Sequence, residues 1–326
     1  MRIAVVGAGA IGGWLAARLA LAGHEVGVLA RGATLERVRS DGIALQVGGR
    51  TEVARVQAAA GADELGHRDV VLLAVKAPAL PALAPTLRPL LHPDTLVLNA
   101  GNGLPWWYFL PPGHPCSGLR LRSVDAHGVL EAAFPLPQVL GLSVFASCHC
   151  PAPGVVRHDA GGRLLLGEPG GGLSERVQAL ARVLQGAGLD AQPSADIRRD
   201  IWIKLLGNAC FNPVSLLTGA PTDEMIDEPA LHDLFVRMME EAIAIGGRLG
   251  LRLDLDPAQR IAQARSLGPI RTSMLQDLEA GRAVELDAIL GTLVEAAAAV
   301  AMPTATLSDV LALARLRARH AHLPIA

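Results

Sequence analysis

Of the 29 basic residues in this 326-residue chain, only Lys76 and Lys204 are lysines. Asparagine is nearly as scarce, confined to Asn99, Asn102, Asn208 and Asn212. Aromatic residues make up 3% of the chain, and four of them, Trp106, Trp107, Tyr108 and Phe109, stand side by side. Formal net charge is only -2, with no block of like charges, so the basic face that nucleic-acid binding requires is missing. No apolar run reaches the roughly 18 to 20 residues of a membrane-spanning helix, and no membrane partner is expected. Cys116, Cys148, Cys150 and Cys210 lack zinc-ligand spacing, because the Cys-x-Cys pair has no second pair after it. They read as free thiols of a reducing compartment, and no metal site is expected. The chain starts directly on a strand pattern, without a cationic and apolar leader, so a soluble cytoplasmic protein is expected.

What is present is organised. Hydrophobic residues make up 51% and charged residues 18%, a globular composition, and the length suffices for two domains. The opening reads as strand (2–6), tight turn (7–13), helix (14–22, with Gly23 able to end it) and strand (25–30). Apolar runs at 70–75 and 95–98 continue the alternation of short buried strands with helices that marks a parallel sheet. Over 104–140 the pattern breaks, and Pro105, Pro111, Pro112 and Pro115 crowd around the aromatic block. An elaborated excursion overhanging a cleft is expected there. Strand-like segments return at 142–147, 155–158 and 164–166.

Past about Asp196 helical periodicity dominates, at 199–211, 229–249, 257–263, 272–280, 285–300 and 306–319. No strand pattern remains. The expected fold class is α/β: an N-terminal Rossmann-type dinucleotide-binding domain over 1–195, followed by an all-helical substrate and catalytic domain over 196–326. The apolar helical faces could pair two chains, which leaves a homodimer open.

Gly7-Ala8-Gly9-Ala10-Ile11-Gly12 matches G-x-G-x-x-G between a strand and a helix, the context in which that motif binds a dinucleotide. Its first glycine permits the tight turn, the second admits backbone to the pyrophosphate, and the third lets helix and strand pack closely. The helix N-terminus adds partial positive charge. Just past the second strand stands Arg31, where an NAD enzyme usually offers a carboxylate to the ribose hydroxyls. A guanidinium suits the 2′-phosphate of NADP instead, so NADP(H) is the expected cofactor. Lys76, following an apolar strand, would lie at the carboxyl edge of the sheet beside that cofactor.

The segment 202–212 is apolar almost all round, except at Lys204, Asn208 and Asn212. At i, i+4 and i+8 these fall on one stripe of a helix, with about 12 Å between its ends. A helix this apolar must be buried, so the stripe needs either polar partners or a polar cleft. Hydride transfer to a ketone leaves negative charge on oxygen, which an ammonium both stabilises and protonates. Partial burial would lower the pKa of Lys204 and improve it as a donor. Pro213 disfavours helix at Asn212, so a bend or an end is expected there.

On these residues the chain resembles the ketopantoate reductase family. The match runs in family order through Gly7 to Gly12, Val75-Lys76, Gly101-Asn102-Gly103, Lys204-x3-Asn208-x3-Asn212-Pro213, and Thr272-Ser273-Met274-Leu275-Gln276-Asp277 leading to Glu285. The resemblance implies NADPH-dependent reduction of a 2-keto acid to a 2-hydroxy acid, with ketopantoate to pantoate in pantothenate biosynthesis as the leading reaction. It implies Lys204 as the proton donor to the substrate carbonyl and Glu285 as a second catalytic residue near the reacting oxygen. Asn208, Asn212 and Ser273 would bind substrate, Ser273 at its carboxylate. Lys76, Asn102 and Glu285 would contact the NADPH side, with Asn102 also reaching substrate.

Thr222 and Ile270 depart from the pattern, standing where well-matched members place asparagines, and the 104–140 excursion is longer than in compact members. These departures leave the hydride chemistry intact and keep a different 2-keto acid open. A non-catalytic NADP(H)-binding sensor would keep the glycine turn without needing Lys204 and Glu285. A β-hydroxyacid or 6-phosphogluconate-type dehydrogenase also carries a helical catalytic lysine, but amides at i+4 and i+8 fit the ketopantoate pattern better. If Arg31 holds the 2′-phosphate, Arg31→Ala will chiefly raise the KM for NADPH in steady-state assays; an unchanged KM would remove Arg31 from the cofactor site.

Overall fold

The computed structural model describes residues 1–324 and gathers the chain into two compact units. The first comprises Met1–Val75, Ala79–Gly101 and Val129–Arg198; the second comprises Lys76–Pro78, Asn102–Gly128 and the chain from Arg199 on.

The first unit is built on a ten-stranded sheet in the order β4-β3-β9-β8-β7-β6-β1-β2-β5, with β10 paired to β9. The strands are β1 (Arg2–Val6), β2 (Glu25–Leu29), β3 (Ile43–Val47), β4 (Arg50–Ala54), β5 (Gln57–Ala59), β6 (Val70–Leu73), β7 (Leu96–Asn99), β8 (Val139–Ala152), β9 (Val155–Gly167) and β10 (Asp190–Pro193). From β5 to β8 the pairing is parallel throughout, and only β8–β9 and β3–β4 are antiparallel. The parallel centre is apolar because both its faces are covered: all four residues of β6 and the last four of β1 are buried. The expected strands at 155–158 and 164–166 are one long strand, β9, which runs through Gly161 and Gly162 opposite an irregular stretch of β8. Bulging absorbs the glycines that read as turns in the sequence.

The helix α1 (Ala10–Leu21) starts earlier than its apolar run does, so Gly12 and Gly13 lie inside it. Trp14, Leu15, Ala16, Ala17 and Leu19 bury its inner face. A Cβ at Gly13 would stand 2.6 Å from a methyl of Val156, so glycine is what lets the helix settle onto β9. Trp14 then stacks on His158, with ring centroids 5.3 Å apart. Beyond β2 the chain turns at Arg31 into α2 (Gly32–Asp41), which Arg31 caps with extended backbone while its own side chain stays exposed.

The second unit is helical, and no strand follows β10 among the described residues. Its central element is the helix Ile197–Thr218, which carries Lys204. Of the bend or end expected at Asn212-Pro213, the end does not occur: the helix continues through the proline. Burial of Val214, Ser215 and Leu216 just beyond the proline outweighs the one backbone hydrogen bond that proline forfeits. The aromatic block is also placed differently from expectation. Trp106, Trp107, Tyr108 and Phe109 are at most 2% exposed and form core rather than an overhang. Large rings bury too much apolar area to be left on a solvated loop. The segment 285–300 holds another departure from plain helix: a π turn, Asp287–Gly291, precedes the α-helix Thr292–Ala299.

Trp202 ties this core to the Lys204 helix. Its indole lies 6.1 Å from the Tyr108 ring, centroid to centroid, and its Nε1 donates to the Ala242 carbonyl at 3.1 Å. Gly246 makes room for it, since a Cβ there would come within 2.8 Å of Nε1. Trp202→Ala should therefore destabilise the unit by about 3–5 kcal/mol, through the cavity it leaves. Urea unfolding followed by circular dichroism measures this, and a loss below about 1 kcal/mol would show that the core collapses around the gap.

Candidate active site

Each unit holds its own set of the residues singled out in the sequence, and the glycine turn belongs to the first. Gly7 has φ +104, and a Cβ there would lie 2.9 Å from the Ala74 carbonyl oxygen. Its N–H donates to the Leu29 carbonyl at 3.0 Å, which docks the turn on β2. A Cβ at Gly12 would fall inside the contact shell of the Gly7 carbonyl, so helix and turn can close on each other only without one. Gly9 differs from both: a Cβ there would meet nothing within 4 Å. The glycine is thus not demanded by the protein's own packing, and its open face leaves backbone accessible to a ligand. Ala8, Ala10 and Ile11 complete the turn and the first turn of α1. A pyrophosphate-bearing cofactor fits this cradle.

The second unit brings five predicted residues into one hydrogen-bonded network. The Asn102 amide stands at its centre. Its Nδ2 donates to Glu285 Oε2 at 3.1 Å, while its Oδ1 accepts from Lys204 Nζ at 3.0 Å and from Asn208 Nδ2 at 3.4 Å. Glu285 is 4% exposed; its Oε1 accepts from the Ala77 N–H at 3.2 Å, and Lys76 Nζ stands 3.5 Å from Oε2. Lys76 also pairs with Asp277, whose other oxygen accepts from Arg282 Nε at 3.0 Å. Asp277 and Arg282 received no role in the sequence reading. The signal for Asp277 was its place within the block that runs from Thr272 to Glu285, but burial of an acid is invisible in sequence.

Burial and charge drive the two lysines in opposite directions. Burial lowers the pKa of Lys204 to about 8, and the Glu285 carboxylate only partly offsets this. Burial also acts to lower that of Lys76, but the Glu285 and Asp277 carboxylates overcome it and the net shift is upward. Lys76 is therefore a fixed cation. Lys204 donates to the neutral Asn102 amide, and its lowered pKa sets it apart from Lys76.

Asn212 and Ser273 stand outside this network. Asn212 is buried, 6% exposed, one helical turn beyond Asn208. Ser273 is exposed at the first position of the helix Ser273–Glu279, whose capping is done by Thr272 through its Oγ1, which accepts from the Leu275 N–H at 3.2 Å. The Ser273 hydroxyl is accordingly not consumed as the cap. The two departures from the family pattern lie against each other: Thr222 Oγ1 accepts from the Ile270 N–H at 3.2 Å and donates to the Gly268 carbonyl at 3.3 Å. Ile270 itself is 40% exposed. Among the described residues no helix is long and apolar enough to cross a membrane, and no cluster of three or more acidic, histidine or cysteine side chains is arranged to hold a metal ion.

Comparison with known proteins gives a consistent result across the chain. Residues 3–171 match the family model described as ketopantoate reductase PanE/ApbA, and residues 196–318 match the model of its C-terminal part. A 2-dehydropantoate 2-reductase of Mesorhizobium japonicum is 44% identical over 316 residues, covering 97% of both chains. A crystal structure from Ralstonia solanacearum MolK2, provisionally named a ketopantoate reductase, is 45% identical and superposes with a TM-score of 0.95 over 99% of both chains. That of 2-dehydropantoate 2-reductase from Methylococcus capsulatus is 31% identical, with a TM-score of 0.83 over 98% of both. With a dinucleotide-type glycine turn on a Rossmann-like sheet and a lysine–amide–carboxylate network in a helical unit, the chain belongs to the ketopantoate reductase PanE/ApbA family of oxidoreductases.

Proposed function

We propose that this protein reduces 2-dehydropantoate (ketopantoate) to pantoate with NADPH, as the reductive step of pantothenate biosynthesis in the cytoplasm. The observation that carries the reading is the Lys204–Asn102–Glu285 network, with Lys204 poised to give up a proton. Residues 1–195 serve the cofactor and lend Asn102 to the network, and residues 196–326 serve the substrate and carry Lys204 and Glu285. The glycine turn from Gly7 to Gly12 takes the pyrophosphate, and Arg31 the 2′-phosphate. NADPH, when bound, supplies the hydride. Lys204 donates its proton to the substrate carbonyl oxygen as charge develops there. Asn102 holds the ammonium by its carbonyl oxygen and orients it against Glu285. Asn208 and Asn212 bind substrate from the same helical stripe, Ser273 takes the carboxylate, and Lys76 provides fixed positive charge on the cofactor side.

One observation favours a second reading of the substrate. The Thr222 hydroxyl is engaged by Ile270 and Gly268, and Ile270 offers an apolar surface, so neither position presents an amide. A 2-keto acid with fewer hydroxyls than ketopantoate suits these residues, with the same proton chemistry at Lys204.

NADPH oxidation followed by absorbance, with ketopantoate set against a panel of other 2-keto acids, separates the two readings. Under both, Lys204→Ala should lose about a hundredfold or more in kcat. Lys204→Arg should fail as well, because guanidinium does not readily release a proton. A Lys204→Ala enzyme of wild-type rate would remove the mechanism.

The pH profile checks the proton donor independently. Lys204 must be protonated to donate, so kcat/KM for reduction should fall as pH rises through about 8. Glu285 raises the pKa of Lys204, so Glu285→Gln should move that alkaline limb to lower pH; a shift to higher pH would contradict the assignment.

A further inference from the structure

The π turn lies immediately after Glu285, and it has a specific consequence for the residue facing it. Within this turn the Thr292 N–H reaches the carbonyl of Asp287, five residues back, instead of that of Ala288, four back. The Ala288 carbonyl is reached by two other donors. The Leu104 N–H donates to it at 3.0 Å, and the Thr292 hydroxyl, fully buried, donates at 2.7 Å. Leu104 directly follows Gly103, which has φ +84 and whose missing Cβ would overlap the Ala288 carbonyl. The chain bearing Asn102 is thus clamped, backbone to backbone, onto the helical turn that follows Glu285. The Asn102 amide meets Glu285 at 3.1 Å on one side of that clamp.

A regular α-turn would direct the Ala288 carbonyl along the helix axis to the N–H four residues on, and would leave it less available to a neighbouring strand of chain. We propose that Thr292 is a positioning residue for the reductase. Its hydroxyl holds the Ala288 carbonyl as the anchor for Leu104, which fixes the Asn102 amide between Glu285 and Lys204. Thr292 acts through Asn102 and touches none of the reacting groups. The inference rests on the reading of Asn102, Glu285 and Lys204 as the active site.

Thr292→Val keeps the shape of the side chain and removes the hydroxyl, and Thr292→Ser restores it. The valine variant should lose about tenfold in kcat, with the serine variant near wild type, as expected for one hydrogen bond that sets active-site geometry. A purely structural role would lower the melting temperature and leave kcat per folded molecule unchanged. The discriminating measurement is a double-mutant cycle with Asn102→Ala: if Thr292 works through Asn102, adding Thr292→Val to that background should change kcat by less than about twofold. Losses that multiply would overturn the proposal, as would a valine variant of wild-type kcat. Should Thr292→Val not fold, Thr292→Ala enters the same cycle. An Asn102→Ala enzyme of wild-type rate would sink the active-site reading itself, which is a distinct outcome from an impaired Asn102→Ala enzyme indifferent to Thr292.

Discussion

A carboxylate taken out of water must either find donors or take up a proton, and the arrangement of the second unit follows from how Glu285 meets that requirement. Its donors are the Ala77 N–H, the Asn102 amide and, slightly further off, the Lys76 ammonium. The two side-chain donors each have a second obligation. Asn102 turns its oxygen to Lys204, and Lys76 turns to Asp277. The buried charges are therefore compensated as a set rather than as isolated pairs. Removing any one partner would leave another group desolvated and unsatisfied.

The two lysines show how such a set can divide labour. Lys76 sits between two carboxylates and is held as a cation. Lys204 donates to an amide oxygen, and burial lowers its pKa to about 8. A neutral hydrogen-bond acceptor orients an ammonium without stabilising its charge as strongly as an anion would, which keeps the proton available. At Lys204 burial outweighs the single carboxylate, Glu285, whereas at Lys76 two carboxylates outweigh burial.

Backbone geometry carries as much of the design as side-chain chemistry. In the glycine turn, Gly7 and Gly12 are required by the protein's own packing, whereas Gly9 faces open space. Near Glu285, Gly103 and the π turn bring two backbones into direct hydrogen-bonded contact. In both places a missing Cβ lets main chain come closer than side chains would allow, and a functional group is set by that approach.

The order of elements, the parallel core of the sheet, the glycine turn and the polar stripe were legible in the sequence because each rests on a local period or a short motif. The scarcity of lysine and asparagine further narrowed the search for chemistry. Long strands through Gly161 and Gly162, the helix running through Pro213 and the aromatic block forming core were not legible, because tertiary burial overrode local preference at each. Nor could spacing reveal that Asp277 is buried against Lys76, or that a π turn follows Glu285. By itself the sequence determined which residue types could perform the chemistry and the chain order in which they occur. Only the tertiary structure decided which of them share a hydrogen bond and which lysine has its pKa lowered, because those outcomes depend on distance and desolvation between residues far apart in the chain.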